Sequence, residues 1–205
     1  TDFDEVGNLT ATGINFTSTA ATQPVIKAST ASCIFIGAVD CSFSNIHFVG
    51  RSDAGWVGLR MGGSFNVSHC YFSNFPVGAA MGLVCQSNQP VLQGTVEYTY
   101  IISKAQESIS IGYWSDPGNG VADPTTANLG PILFNHCTIV NNNNFQFSFQ
   151  SGFPGDLSNF TVRNCILGAF NADGSVCNSA AYLVNRTSNA NIVREYNAYV
   201  QTWWV

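Results

Sequence analysis

Four segments decide the fold: Asp40-Cys-Ser-Phe-Ser-Asn45, His69-Cys-Tyr-Phe-Ser-Asn74, His136-Cys-Thr-Ile-Val-Asn141 and Asn164-Cys-Ile-Leu-Gly-Ala169. Laid on one another, each places a polar residue before a cysteine and an apolar residue two positions after it. Cys41 to Cys70 and Cys137 to Cys165 are nearly equal intervals of one period each; the longer stretch from Cys70 to Cys137 holds two periods plus an insertion. A copy without cysteine fits that stretch at Glu97-Tyr-Thr-Tyr100. Another fits at Glu195-Tyr-Asn-Ala198, and Leu9 to Phe16 resembles Phe43 to Phe48 one period on. A period of roughly 28 to 31 residues marks a repeat architecture. The regular leucines of a leucine-rich repeat are absent, as are the helix-forming runs of ankyrin or helical-pair repeats. Three short strands joined by turns fit both the length and the composition.

Within each copy the alternation has period two. Cys41 and Phe43, Cys70 and Phe72, Tyr98 and Tyr100, Cys137 and Ile139, and Cys165 and Leu167 should therefore each share a face pointing into the coil. Stacked coils repeat at about 4.8 Å, so seven of them make a rod roughly 34 Å long. The expected fold is all-β: one solenoid domain over residues 1–205, of about seven coils, with a long turn-rich loop inserted at about 110–131. The segment Ser103 to Ser108 reads as a short helical or irregular piece.

The composition agrees with stacking. Charged residues make up 9% of the chain, against roughly 25% in typical soluble proteins. Asn, Ser and Thr together supply more than a quarter of it; they can hydrogen-bond from coil to coil where like charges would repel. Seven basic and 12 acidic residues, net −5, exclude a surface built for nucleic acid. No apolar run approaches the roughly 18 residues of a membrane-crossing helix. Asn45, Asn74 and Asn141 should fall in register at turns, where Asn tolerates left-handed backbone; the alternative is an internal ladder of stacked amides. Of the seven cysteines, Cys41, Cys70, Cys137 and Cys165 should line one interior row as stacked thiols rather than disulfides. No CxxC occurs and no metal or other cofactor is expected.

Segments such as Gly13-Ile-Asn-Phe16, Asn45-Ile-His-Phe48, Asn164-Cys-Ile-Leu167 and Glu195-Tyr-Asn-Ala-Tyr-Val200 resemble coils of the right-handed parallel β-helix superfamily, which includes pectate-lyase-like enzymes and viral tailspikes. The resemblance covers most of the chain and implies that fold, with carbohydrate as the natural substrate class if the protein is an enzyme. The capping helix usual in the family has no counterpart in Thr1 to Gly7. The expectation is of a processed or trimmed product whose stack is sealed by another subunit or a neighbouring domain.

Candidate functional groups follow from the register. Asp40, His69, Glu97 and His136 should line one outer face, with Asp40 and Glu97 near the upper spacing limit of an inverting carboxylate pair. The clustered acids of related lyases and hydrolases are missing, so the first reading assigns these four no catalytic role. The inserted loop offers Tyr113, Trp114 and Asp116 as binding groups. The aromatic end 199–205, with Trp203 and Trp204, should fold back over the last coil or plug into a partner. Sequons at Asn8, Asn15, Asn66, Asn159 and Asn185, together with the cysteines, indicate an extracellular or cell-surface glycoprotein. The expected function is a non-catalytic structural or adhesive module that associates with itself, as an oligomer or filament, through coil ends or flat neutral faces. A polysaccharide lyase or glycoside hydrolase is the alternative, and a viral spike fragment a third reading. Carbohydrate is the expected small-molecule partner.

Overall fold

A computed structural model describes residues 3–6, 9–28, 33–51, 57–75, 79–85, 91–103, 107–113, 115–116, 120–121, 128–141, 145–149, 157–168, 181–185, 192–200 and 202–203. Each coil gives one strand to each of three sheets in sequential order. The first sheet runs through Phe3–Val6, Val25–Ala28, His47–Val49, Tyr71–Phe75, Tyr100–Ser103, Thr138–Asn141, Ile166–Gly168 and Ala198–Val200. The second contains Leu9–Thr12, Cys33–Val39, Val57–Gly62, Ala79–Cys85, Glu107–Tyr113, Phe145–Phe149, Ala181–Asn185 and Thr202–Trp203. The third contains Asn15–Thr17, Ser42–Ser44, Ser64–Ser68, Val91–Glu97, Asn128–Asn135, Phe160–Arg163 and Val193–Glu195. Every pairing within these three sheets is parallel and joins one coil to the next. This is the architecture of a parallel β-helix.

Strand alternation builds the interior. In Ser64–Ser68 the side chains of Phe65 and Val67 are buried while Ser64 and Asn66 are exposed. Like residues then stack from coil to coil: Phe16 on Phe43 with ring centroids 4.8 Å apart, Phe48 on Phe72 at 4.8 Å, and Phe134 beside Phe160 at 5.6 Å. Phe43, Phe48, Phe72, Phe134, Phe147 and Phe160 are fully buried. Each such side chain contributes roughly 1.5–3 kcal/mol by leaving water, which a lone coil could not achieve.

The two well-described outer faces differ in chemistry. Along the third sheet, Asn15, Ser42, Asn66 and Thr95 stand in one row, tied by Ser42 Oγ donating to Asn15 Oδ1 (2.6 Å) and Thr95 Oγ1 donating to Asn66 Oδ1 (3.2 Å). The first sheet instead turns outward the row His47, Tyr71, Tyr100, Thr138, Ile166 and Ala198. Beside it runs a second row with Val49, Ser73, Ile102, Val140, Gly168 and Val200, in which Val140 and Gly168 are buried.

Several expectations need correction. Cys41 is not in line with the other three cysteines. It lies at the corner between the second and third sheets, whereas Cys70, Cys137 and Cys165 lie at the corner between the third and first. Both corners use a left-handed residue followed by a small buried one, so Asp40-Cys41 imitates His69-Cys70 locally. The true counterpart of His69-Cys70-Tyr71-Phe72 is Asn45-Ile46-His47-Phe48. The cysteine-less copy sits one residue away from its expected register. Tyr98 and Tyr100 are 53% and 41% exposed, and the inward pair is Thr99 and Ile101. Asn45, Asn74 and Asn141 do not align: Asn45 is at the corner, Asn74 is the extra residue at a register shift, and Asn141 ends a strand. Only the first two are left-handed (φ 57° and 59°).

The break in the repeat is narrower than 110–131, because Glu107–Tyr113 and Asn128–Asn135 are strands of the second and third sheets. Between them, Ser115–Asp116 pairs antiparallel with Gly120–Val121. Of the expected helical or irregular piece, 104–106 lie outside the described residues, and Glu107 and Ser108 already belong to a strand. Ala198–Val200 and Thr202–Trp203 do not fold back over the last coil; they continue it as further strands of the first and second sheets.

Close packing leaves no room for a side chain at Gly50, Gly58 and Gly94. A Cβ at Gly58 would sit 2.5 Å from the buried Phe75 ring and 2.7 Å from the Ala80 carbonyl oxygen. Gly58→Ala should destabilise the protein by about 1–3 kcal/mol in chemical denaturation, through overpacking. Gly37→Ala, whose Cβ would meet only Thr10 Cγ2 at 3.9 Å, should be close to neutral; equal losses at both sites would refute the account.

Candidate functional site

The corner from the third to the first sheet concentrates the unusual chemistry. Asn45, His69, Tyr98, His136, Asn164 and Tyr196 occupy it in successive coils, with φ between 48° and 57°. A left-handed conformation costs a bulky residue on the order of 1–3 kcal/mol and persists only where its surroundings over-determine it. Hydrogen bonds do so here. The His69, Tyr98, His136 and Asn164 amides donate to the carbonyls of Glu97, Asn135, Arg163 and Glu195 in the next coil.

The following residue is Ile46 after Asn45, and Cys70, Thr99, Cys137, Cys165 or Asn197 after the others. In those five the side chain completes the turn. Cys70 N–H donates to Thr99 Oγ1 (3.3 Å), Cys137 N–H to Cys165 Sγ (3.4 Å) and Cys165 N–H to Asn197 Oδ1 (2.9 Å). Side chains at this position also donate: Thr99 Oγ1 to Glu97 O (2.9 Å), Cys137 Sγ to Val96 O (3.2 Å), Cys165 Sγ to Arg163 O (3.1 Å) and Asn197 Nδ2 to Val162 O (2.8 Å). From the second of these coils on, the position holds a small group that both accepts and donates, which Cys, Thr and Asn satisfy alike, whereas the buried Ile46 fills it after Asn45. Burial pushes the Cys70 thiol up to about 11. The hydrogen bond to Cys165, reinforced by burial, raises that of Cys137 further. These two thiols stay protonated at neutral pH, able to donate and unsuited to nucleophilic attack. Cys41, Cys70, Cys85, Cys137 and Cys165 are all buried and free of disulfides.

Outside the corner, rings follow the same spacing. His69 stacks on Tyr98 at 5.1 Å and Tyr98 on His136 at 5.0 Å. On the adjoining first sheet His47 stacks on Tyr71 at 4.4 Å, and Tyr71 meets Tyr100 at 5.4 Å. All three histidines of the chain lie in these two rows. The rings cover one another's faces and turn their edges outward, so the strip offers phenol and imidazole edges rather than open platforms for sugar stacking.

The four expected acid–base residues are not brought together. His69 and His136 share the corner row, separated by Tyr98. Glu97 precedes that row on the third sheet, where its Oε1 accepts from Asn135 Nδ2 (3.0 Å). Asp40 belongs to the other corner, where its Oδ1 accepts the Ser64 N–H (2.8 Å). Asp40 is about four residues along the strand and two coils away from Glu97. That is roughly 16 Å by strand rise and spacing, beyond the roughly 6.5–9.5 Å of an inverting pair. Aligning Glu97 with His69 is a one-residue slip that hides both the Thr99 substitution and the ring row. The interchangeability of Thr with Cys is the sequence signal that reveals them.

Tyr113 ends a strand of the second sheet, Asp116 sits in the short antiparallel pair, and Trp203 pairs with Tyr182 along the backbone. Trp114 and Trp204 lie outside the described residues, as does Asn8. Asn15, Asn66 and Asn159 are exposed on or beside the third sheet, and Asn159 Nδ2 donates to Leu129 O (3.0 Å). Asn185 closes the strand Ala181–Asn185, with its side chain outside the described set. A cleft of about 310 Å³ opens beside residues 18–24, over Phe16, Ile26 and Ile46; Asn15 alone among the expected residues lines it. Among the described residues no three His, Cys, Asp or Glu gather as a metal site, and no helix is long and apolar enough to cross a membrane. Comparison with protein-family models, curated proteins and solved structures returned no match.

Thr99→Val removes the acceptor for Cys70 N–H and should cost about 1–3 kcal/mol by denaturation, whereas Thr99→Cys should retain most of the stability; equal losses would remove the turn-completing role. Partial burial lowers the pKa of His47, whose Nε2 lies 2.8 Å from Ser73 Oγ. The folded protein thus resists a proton that the unfolded chain accepts near pH 6.5. Stability present at neutral pH should fall as pH drops through that value toward the lower folded pKa. In His47→Gln the decline between neutral and mildly acidic pH should be shallower, and parallel profiles would sink the assignment.

Proposed function

We propose that this chain is a structural or adhesive module that works outside the cell without catalysing a reaction. Its coil is right-handed, as parallel crossovers are in the great majority of sheets, and it carries N-linked glycans on the third sheet. The division of the surface supports this reading. Exposed Asn15 and Asn66 stand two coils apart in one polar row, while the first sheet offers a flat, ring-bearing face that is uncharged through its central coils. A low-charge rod has little electrostatic repulsion to overcome when it packs against its neighbours.

Protein secreted from a eukaryotic host should lose mass on enzymatic deglycosylation, and Asn15→Gln and Asn66→Gln should each remove one glycan. Reducing-end and double-bond assays across polysaccharides should stay at background. An unchanged mass would remove the glycoprotein reading. Turnover that disappears in His69→Ala would replace the module with a lyase or hydrolase.

A further inference from the structure

From His69 to Tyr196 the corner row carries a ring in every coil but that of Asn164. His136 and Tyr196 therefore stand two coils apart, with Asn164 between them. The chain is described without a break around this corner in all three coils, over residues 128–141, 157–168 and 192–200. His136 and Asn164 are exposed, and Tyr196 is 87% exposed. Tyr98 covers one face of His136; among the described residues no ring meets its other face or either face of Tyr196. Asn164 leaves the interval open, because its Nδ2 donates to Asn135 Oδ1 (3.0 Å), which draws the short amide toward the third sheet. The same two-coil interval occurs one step earlier, between His69 and His136. There Tyr98 fills it, with centroid steps of 5.1 and 5.0 Å.

We propose that the interval between His136 and Tyr196 binds one aromatic ring of the phenol type from another molecule, held between imidazole and phenol as Tyr98 is held between two imidazoles. The slot depends neither on glycans nor on a setting outside the cell. His136, Asn164 and Tyr196 share a left-handed backbone (φ 52°, 53° and 53°), so their side chains leave the corner alike. Two coil spacings, about 9.6 Å, give room for a single ring stacked on both faces. Aromatic pairs favour offset stacking at such distances. The two sides of the slot differ in chemistry. Ile166, 47% exposed, stands on the first-sheet side. Arg163 and the exposed Glu195 stand on the third-sheet side, and Arg163 Nε is buried without a hydrogen-bond partner. A phenol matches this asymmetry: its hydrocarbon edge lies toward Ile166 and its hydroxyl toward the polar side. The contact is small, so the affinity is on the order of millimolar.

p-Cresol titrated into the full chain should move the His136 and Tyr196 ring resonances upfield in NMR spectra, saturably and in the millimolar range, while those of His47 and His69 stay in place. Tyr196→Ala removes one wall and should weaken binding by about threefold or more. Asn164→Tyr puts the chain's own ring into the interval and should abolish the titration; Tyr98 shows that the corner accepts tyrosine, at φ 48°. Tyr100→Ala on the first sheet should leave the affinity unchanged, and circular dichroism and melting check that each variant folds. If Asn164→Tyr does not fold, Tyr196→Ala decides alone. Shifts that never saturate, or that spread equally to Tyr71 and Tyr100, overturn the proposal, as does an affinity that Tyr196→Ala leaves untouched. A methyl glucoside that moves the same resonances where p-cresol does not would also overturn it, and would give the slot to a sugar.

Discussion

The structure depends on a turn that leaves the backbone ladder incomplete. At the corner between the third and first sheets a left-handed residue directs the chain through a sharp bend in coil after coil. The next amide, that of Cys70, Cys137 or Cys165, then bonds to a side chain of the following coil instead of a backbone carbonyl. An unsatisfied amide in so buried a place would cost on the order of 1–3 kcal/mol. In every such coil but that of Asn45, where Ile46 follows, the residue after the bend is a small group with both a donor and an acceptor. The cysteines of this row are solutions to a hydrogen-bonding problem, and Thr99 and Asn197 solve it with different atoms.

That constraint also shapes the exterior. A left-handed residue turns its own side chain outward, and the corner recurs at coil spacing, so rings placed there must meet. His69, Tyr98 and His136 consequently stack on one another. The interior obeys the same rule with Phe16 on Phe43 and Phe48 on Phe72. A column of like groups is favourable where they are neutral and costly where they share a charge, which accounts for the scarcity of Lys, Arg, Asp and Glu and the abundance of Asn, Ser and Thr.

The candidate site is less legible than the fold. Asp40-Cys41 and His69-Cys70 look alike because two different corners require the same local grammar, and sequence spacing alone cannot tell one corner from the next. Equivalent corner residues are unevenly spaced: Asn45 and His69 are close in sequence, whereas Tyr98 and His136 are much further apart. Loops between strands absorb such insertions without disturbing the stack. The tyrosines of the cysteine-less copy resemble interior residues by analogy with aromatic strand residues elsewhere. In fact the smaller Thr99 takes the inward place.

The amino-acid sequence by itself determined the architecture: an approximate repeat, period-two alternation, aromatic and β-branched strand residues, and too little charge for anything but a neutral stack. These are local properties, and the strands they specify have no way to bury their faces except on copies of themselves. The tertiary structure alone decided which corner each cysteine occupies, which residues form the ring rows, and the contrast between a polar third sheet and a first sheet uncharged through its central coils. Register between coils is set by hydrogen bonds between residues a whole coil apart along the chain, and a shift of one position exchanges inside for outside.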